Sequence, residues 1–143
     1  MKTIIEMTKT IPSSSVFLRA LETAGLLERF NTSREVFTFF LPSDEAFSKL
    51  PRETLDKLLK DKTKLAEILN YHVLSGKVHA REAIQAKRAK NLQKEELVIS
   101  TEKGRVKVND AYVIQADIEC PNGVIHMIDT VLLPSYLKYK KAA

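Results

Sequence analysis

The chain has 143 residues, enough for one domain that buries a real core. Its 44% apolar and 29% charged content is that of a folded globular protein, and no apolar run reaches the length of a membrane span. The formal charge is +5, and the single cysteine, Cys120, excludes an intrachain disulfide, so stability has to come from burial.

Residues 1–6 lack a continuous apolar h-region and a small-residue cleavage site, which fits a cytoplasmic chain or a mature or excised form of an exported one. A short helix is expected over residues 3–8. Ser13, Ser14 and Ser15 after Pro12 then mark a helix start, with serine side chains available to cap free N–H groups. Val16, Phe17, Ala20, Leu21 and Ala24 give that helix an apolar stripe, and Gly25 breaks it. Residues 36–41 read as a strand of β-branched and aromatic residues that Pro42 stops. Ser43 is placed to cap a short helix with Asp44 and Glu45 in its first turn, where the helix dipole favours acids. Pro51 opens a helix with the stripe Leu55, Leu58, Leu59, and Asp61 or Thr63 begins another with Leu65, Ile68 and Leu69 inward.

Residues 71–74 read as a short strand and residues 79–84 as one or two helical turns. Residues 85–94, polar and basic, read as loop. A meander follows over residues 97–101, 105–108, 111–115 and 118–120, with turns at Lys103-Gly104, Asn109-Asp110 and Asn122-Gly123. The last strand runs from Asn122 to Pro134, opening on a pair suited to the positive φ of a tight turn. At strand period Val124, His126, Ile128 and Leu132 share one face, and Ile125, Met127, Val131 and Leu133 the other. Both faces are apolar, which places the strand centrally in its sheet. His126 and Asp129 fall on opposite faces and are not expected to act as a pair. Residues 136–143 form a basic, aromatic tail.

The charge is local. Residues 77–107 hold nine Lys/Arg against four Glu, while the remainder balances. Lys87, Arg88, Lys90 and Lys94 therefore form a candidate patch for an anionic ligand, which Lys103, Arg105 and Lys107 extend from the neighbouring hairpin. The patch lacks the interleaved aromatics of a single-strand platform and no nucleic-acid motif is present, so no nucleic acid is expected. None of the four glycines builds a phosphate cradle, and His72, His79 and His126 lack partners at metal-ligand spacing. No cofactor or metal is expected. Cys120 and His126 flank the Pro121-Asn122-Gly123 turn and form the one arrangement that suggests a nucleophile and base. The competing reading makes His126 a core residue whose nitrogens are satisfied by neighbours.

The stretch Asn122-Gly123-Val124-Ile125-His126-Met127-Ile128-Asp129-Thr130-Val131-Leu132-Leu133-Pro134 resembles the second signature segment of fasciclin (FAS1) domains, Asn-Gly-x-Ile-His-x-Ile-Asp-x-Val-Leu-x-Pro. Phe37-Thr38-Phe39-Phe40-Leu41-Pro42-Ser43-Asp44-Glu45-Ala46-Phe47 and Tyr71-His72-Val73-Leu74-Ser75-Gly76-Lys77 match further family segments in the family's order. The resemblance implies an α+β fold, a FAS1-type wedge-like β-sandwich of about seven strands packed with several short α-helices. It implies a single-domain, microbial-type member spanning residues 1–135, a monomer, with Thr38, Asp44, Asn122, Gly123, His126 and Asp129 as its structural motif. The implied function is a non-catalytic adhesion or extracellular-matrix module, at a cell surface or outside the cell, binding a protein or an anionic polysaccharide. Partner contact in the family is linked to the segment that corresponds here to Ile68, Leu69, Tyr71, His72 and Val73. The alternatives are a small thiol-dependent or hydrolase-like enzyme using Cys120 and His126, and a cytoplasmic protein-interaction domain.

Overall fold

A computed structural model describes residues 3–31 and 34–133; the basic tail and Pro134 lie outside the described residues. The first helix, α1 (Ile4–Thr10), starts on a reciprocal cap: the Thr3 hydroxyl accepts from the Glu6 N–H and the Glu6 carboxylate accepts from the Thr3 N–H. Helix α2 (Ser15–Thr23) is not capped by serine as expected. The Ser14 hydroxyl donates to the carbonyls of Thr8 and Ile11, and the Val16 N–H goes to Asp44 Oδ1 at 2.8 Å. A carboxylate 28 residues away satisfies the helix end, a long-range contact that no local pattern announces. Gly25, at φ +74°, closes α2: the Leu26 N–H reaches Leu21 O and the Gly25 N–H reaches Glu22 O, before α3 (Leu27–Phe30).

Strand β1 (Phe37–Pro42) includes the proline as its last paired residue, where a missing N–H costs the ladder little. Helices α4 (Asp44–Ser48), α5 (Arg52–Lys60) and α6 (Lys62–Tyr71) follow, with Ser43 and Asp61 as side-chain caps of the first and third. Strand β2 (Val73–Ser75) begins later than residue 71, because Tyr71 completes α6 and His72 ends it. After α7 (Ala80–Ala86), the expected basic loop contains β3 (Arg88–Lys90), which pairs antiparallel with β4 (Glu96–Glu102). Three residues with Ala89 inward and two cations outward are too few to show a period. Charges on such a strand suit a sheet edge.

Strands β5 (Arg105–Val108), β6 (Ala111–Cys120) and β7 (Gly123–Ile128) complete the set. The two segments expected at 111–115 and 118–120 are one strand, joined through bulged register with Asp117 at φ 57°. Strand β7 ends at Ile128, short of the expected Pro134, and residues 129–133 leave the ladder. Gly123 does not adopt a positive φ. It is required for space: a Cβ there would sit 2.2 Å from the Phe37 carbonyl oxygen and 2.7 Å from Ile4 Cδ1.

The sheet order is β2-β1-β7-β6-β5-β4-β3, with β1 and β7 parallel. A bridge between Leu74 and Asn91 links the two ends of this order, so the sheet nearly closes. Every residue of β1 and β7 is buried, as a strand covered on both faces requires. Phe37, Phe39, Leu41, Ile125, Met127, Val131 and Leu133 face the helices. Phe40, Ile128 and Leu132 face the inside of the closed sheet with Leu97, Ile99 and Val108. The alternation expected along residues 124–133 therefore holds, even beyond the end of the strand. Phe17, Phe30, Phe37 and Phe39 pack edge to face at centroid separations of 4.8 to 5.6 Å, binding helices to sheet.

Candidate functional site

The polar residues of the fasciclin-like motif all serve backbone. Thr38 Oγ1 donates to Gly76 O at 2.6 Å and accepts from the Val78 N–H at 2.8 Å, pinning the loop after β2. The Asn122 side chain accepts from the Ile4 N–H and donates to Phe30 O, joining α1 and α3 to the start of β7. Asp129 accepts from the Tyr112 N–H at 2.8 Å and its own N–H returns to Tyr112 O.

Two histidines behave in the same way. His72 accepts from the Leu132 N–H at Nε2 (2.8 Å), so the proton lies on Nδ1, which donates to Ile68 O (2.7 Å). Its full burial pushes its pKa down to about 4. His126 has the opposite tautomer. Nδ1 accepts from the Asp117 N–H (3.0 Å), Nε2 donates to Val78 O (2.8 Å), and the ring stacks on Phe40. Burial lowers its pKa as well. Both rings are neutral with each nitrogen committed to backbone, so neither is free to serve as a general base.

Cys120 and His126 are not brought together. Cys120 is the cross-strand partner of Gly123 and packs toward the helices, while His126, six residues on, points to the other face, against Phe40. Burial pushes the Cys120 thiol up to about 11, the reverse of what an activated nucleophile needs. Among the described residues no group of three His, Cys, Asp or Glu is arranged to hold a metal, and no helix is long and apolar enough to cross a membrane.

Ile68, Leu69, Tyr71, His72 and Val73 are all at most 4% exposed. Tyr71 joins the interior of the closed sheet, and Ile68, Leu69 and Val73 join the helix-facing core. As folded they offer a partner no surface, so contact through them requires the α6–β2 corner to open.

One cluster is absent from the sequence reading. His79 lies between Glu82, on its own helix, and Glu119 of β6, which also takes Lys77 at 3.3 Å. Asp117 Oδ1 accepts the Ala80 N–H at 2.9 Å. Hydrogen bonds to the two carboxylates raise the His79 pKa and lower both of theirs. The spacing His79-x-x-Glu82 was the available local signal; the β6 half is visible only in three dimensions.

The basic residues divide. Lys87 (φ 66°) ends α7 and Lys94 (φ 64°) sits in the β3–β4 turn, whereas Arg88 and Lys90 stand on the solvent side of β3. Across β4, Arg105 and Lys107 of β5 face the same way. They lie 4.4 and 5.6 Å from the centroid of the Tyr112 ring.

The fasciclin domain family model matches residues 12–134. The chain belongs to the fasciclin domain family. Relatives include the Synechocystis protein sll1483, 40% identical over 92% of this chain and 73% of that protein. Transforming growth factor-beta-induced protein ig-h3 of Sus scrofa is 39% identical over 94% of the chain, which spans 20% of its length. Immunogenic protein MPB70 of Mycobacterium bovis is 31% identical over 77% of the chain and 55% of that protein. A solved FAS1 domain pair from the insect cell adhesion molecule Fasciclin I superposes with a TM-score of 0.79 at 20% identity, over 94% of this chain and 52% of that one. The α+β wedge expected from the sequence is the fold this fasciclin domain has.

Proposed function

We propose that this fasciclin domain is a non-catalytic adhesion or matrix-interaction module that engages a protein or an anionic polysaccharide at a cell surface or outside the cell. The observation that carries the reading is the state of its reactive groups. His72 and His126 are neutral with both nitrogens committed, and Cys120 is buried with its thiol held in the protonated form. The motif maintains the fold and leaves recognition to the surface. Kinship with a cell adhesion molecule of the same fold supports this reading.

The test is attachment of cells of the source organism, and of their isolated matrix, to a surface coated with the folded chain. Attachment above that to a blank surface is expected. The same protein, treated at neutral pH with an electrophile such as iodoacetamide, is expected to label at Cys120 only after unfolding. Rapid labelling of folded protein together with absent attachment would replace the module by a thiol enzyme.

A further inference from the structure

We infer that the outer face of strands β3 to β6 is the partner-binding surface and that it takes a linear anionic polysaccharide, one bearing sulfate or carboxylate groups along its length. This rests on the reading of the chain as an interaction module and names the ligand class and where it sits.

The strand register lays the charges out. Lys90 pairs with Glu96, Arg88 with Val98, Lys107 with Ser100 on one side and Tyr112 on the other, and Arg105 with Glu102. Successive outward positions along a strand are about 6.7 Å apart and neighbouring strands about 4.8 Å. Lys90, Arg88, Lys107 and Arg105 thus form a diagonal track, one cation per step, crossing from β3 to β5. The two carboxylates on the face, Glu96 and Glu102, stand toward opposite ends of β4. Its centre, Val98 and Ser100, is an uncharged floor with Arg88 on one side and Lys107 on the other.

The cations are held but not satisfied. Arg88 reaches Glu96 at 3.6 Å and Lys107 reaches Glu102 at 3.2 Å, both as solvent-accessible pairs of the kind that contribute little. Among the described residues Lys90 makes no ion pair, and neither does Lys103 at the tip of the β4–β5 hairpin. The backbone beneath is laddered sheet, so a ligand need not order a loop in order to bind. The exposed apolar side chains, Val98 at 52% and Ile114 at 51%, stand on separate strands with Ser100, Lys107 and Tyr112 between them. Among the described residues this face carries no contiguous apolar centre of the kind a protein interface is built around. A cationic track without that centre fits a flexible polyanion better than a folded partner.

The experiment compares salt elution and equilibrium binding of the parent and two variants on immobilised heparin, polygalacturonate and poly-glutamate. One variant carries Arg88→Glu with Lys107→Glu. The other carries Lys57→Glu with Lys60→Glu, the same change in charge at exposed positions of α5. The parent is expected to bind heparin or polygalacturonate at about 0.15 M salt, and the face variant to bind about tenfold or more weakly, with the α5 variant near the parent. Thermal melts establish that each variant is folded. Should the face variant unfold, Arg88→Gln with Lys90→Gln on the exposed edge strand carries the test, with a smaller loss in the same direction. Equal losses in the face and α5 variants would reduce binding to net charge and overturn the assignment, as would parental binding by a folded face variant. Poly-glutamate binding as tight as heparin would replace the polysaccharide by an acidic polypeptide. A parent that binds neither polysaccharide yet supports attachment overturns this surface and leaves the module standing; loss of attachment as well removes both.

Discussion

Three histidines in one small domain face three environments, and their titration should separate them. His72 is expected to titrate near 4, His126 below 6.5 and His79 above 6.5, readable as three shifts in one NMR pH series. The sign follows for stability. A buried neutral His72 binds its proton less readily in the folded state than at 6.5 in the unfolded one. Its contribution is complete above pH 6.5 and is lost as the pH falls toward 4, about 3 kcal/mol over that window. His126 acts in the same direction. A His72 that titrates near 6.5 in the folded protein would contradict the buried, neutral assignment. Gly123 offers a second test at this scale. Gly123→Ala places a methyl group against a backbone carbonyl that cannot swing away, so a loss of about 1–3 kcal/mol or more in chemical denaturation is expected. An unchanged midpoint would show that β1 can shift. The sequence singled out Gly123 but attached the wrong reason to it, since a close approach between distant strands leaves no local pattern.

At the scale of elements, amphipathic stripes and caps were legible because they are local: Ser43 before α4, Asp61 before α6, and Leu65, Ile68 and Leu69 along one face. What stayed hidden depends on partners far along the chain. Asp44 caps α2, and His72 ties down Leu132 after β7 has already ended. The seating of α7 against β6 is of this kind. His79 and the carboxylates of Glu82 and Glu119 stabilise one another when all are charged. The His79 contribution is complete below its ordinary 6.5 and lost as the pH rises through its raised folded value. The Glu contributions are complete above 4.5 and lost as the pH falls through their lowered values. The contact is therefore strongest between pH 4.5 and 6.5. Glu119→Gln should lower the His79 pKa and weaken amide-exchange protection in α7 within that window, with the difference shrinking at alkaline pH. Identical protection at every pH would mean that α7 is held by Asp117 and packing alone.

On the proposed reading, interior and surface have separate duties across the whole molecule. The polar motif residues tie helices α1 to α4, the loop after β2 and strand β6 to the two central strands or to one another by meeting backbone groups that burial would otherwise leave unpaired. The excess charge, legible as a count in the sequence, acquires a shape only when the register sets β3 beside β4 and β5. The compartment was not legible, because composition and a lone thiol fit either. The separation of duties is tested most directly by measuring Tm and matrix attachment together for the parent, His126→Ala and the Arg88→Glu, Lys107→Glu variant. His126→Ala should lose about 2–4 kcal/mol of stability, through a cavity and unpaired partners, yet attach like the parent at temperatures where it is folded. The face variant should melt like the parent and lose attachment. A His126→Ala protein that melts like the parent but no longer attaches would place function in the motif and contradict the account.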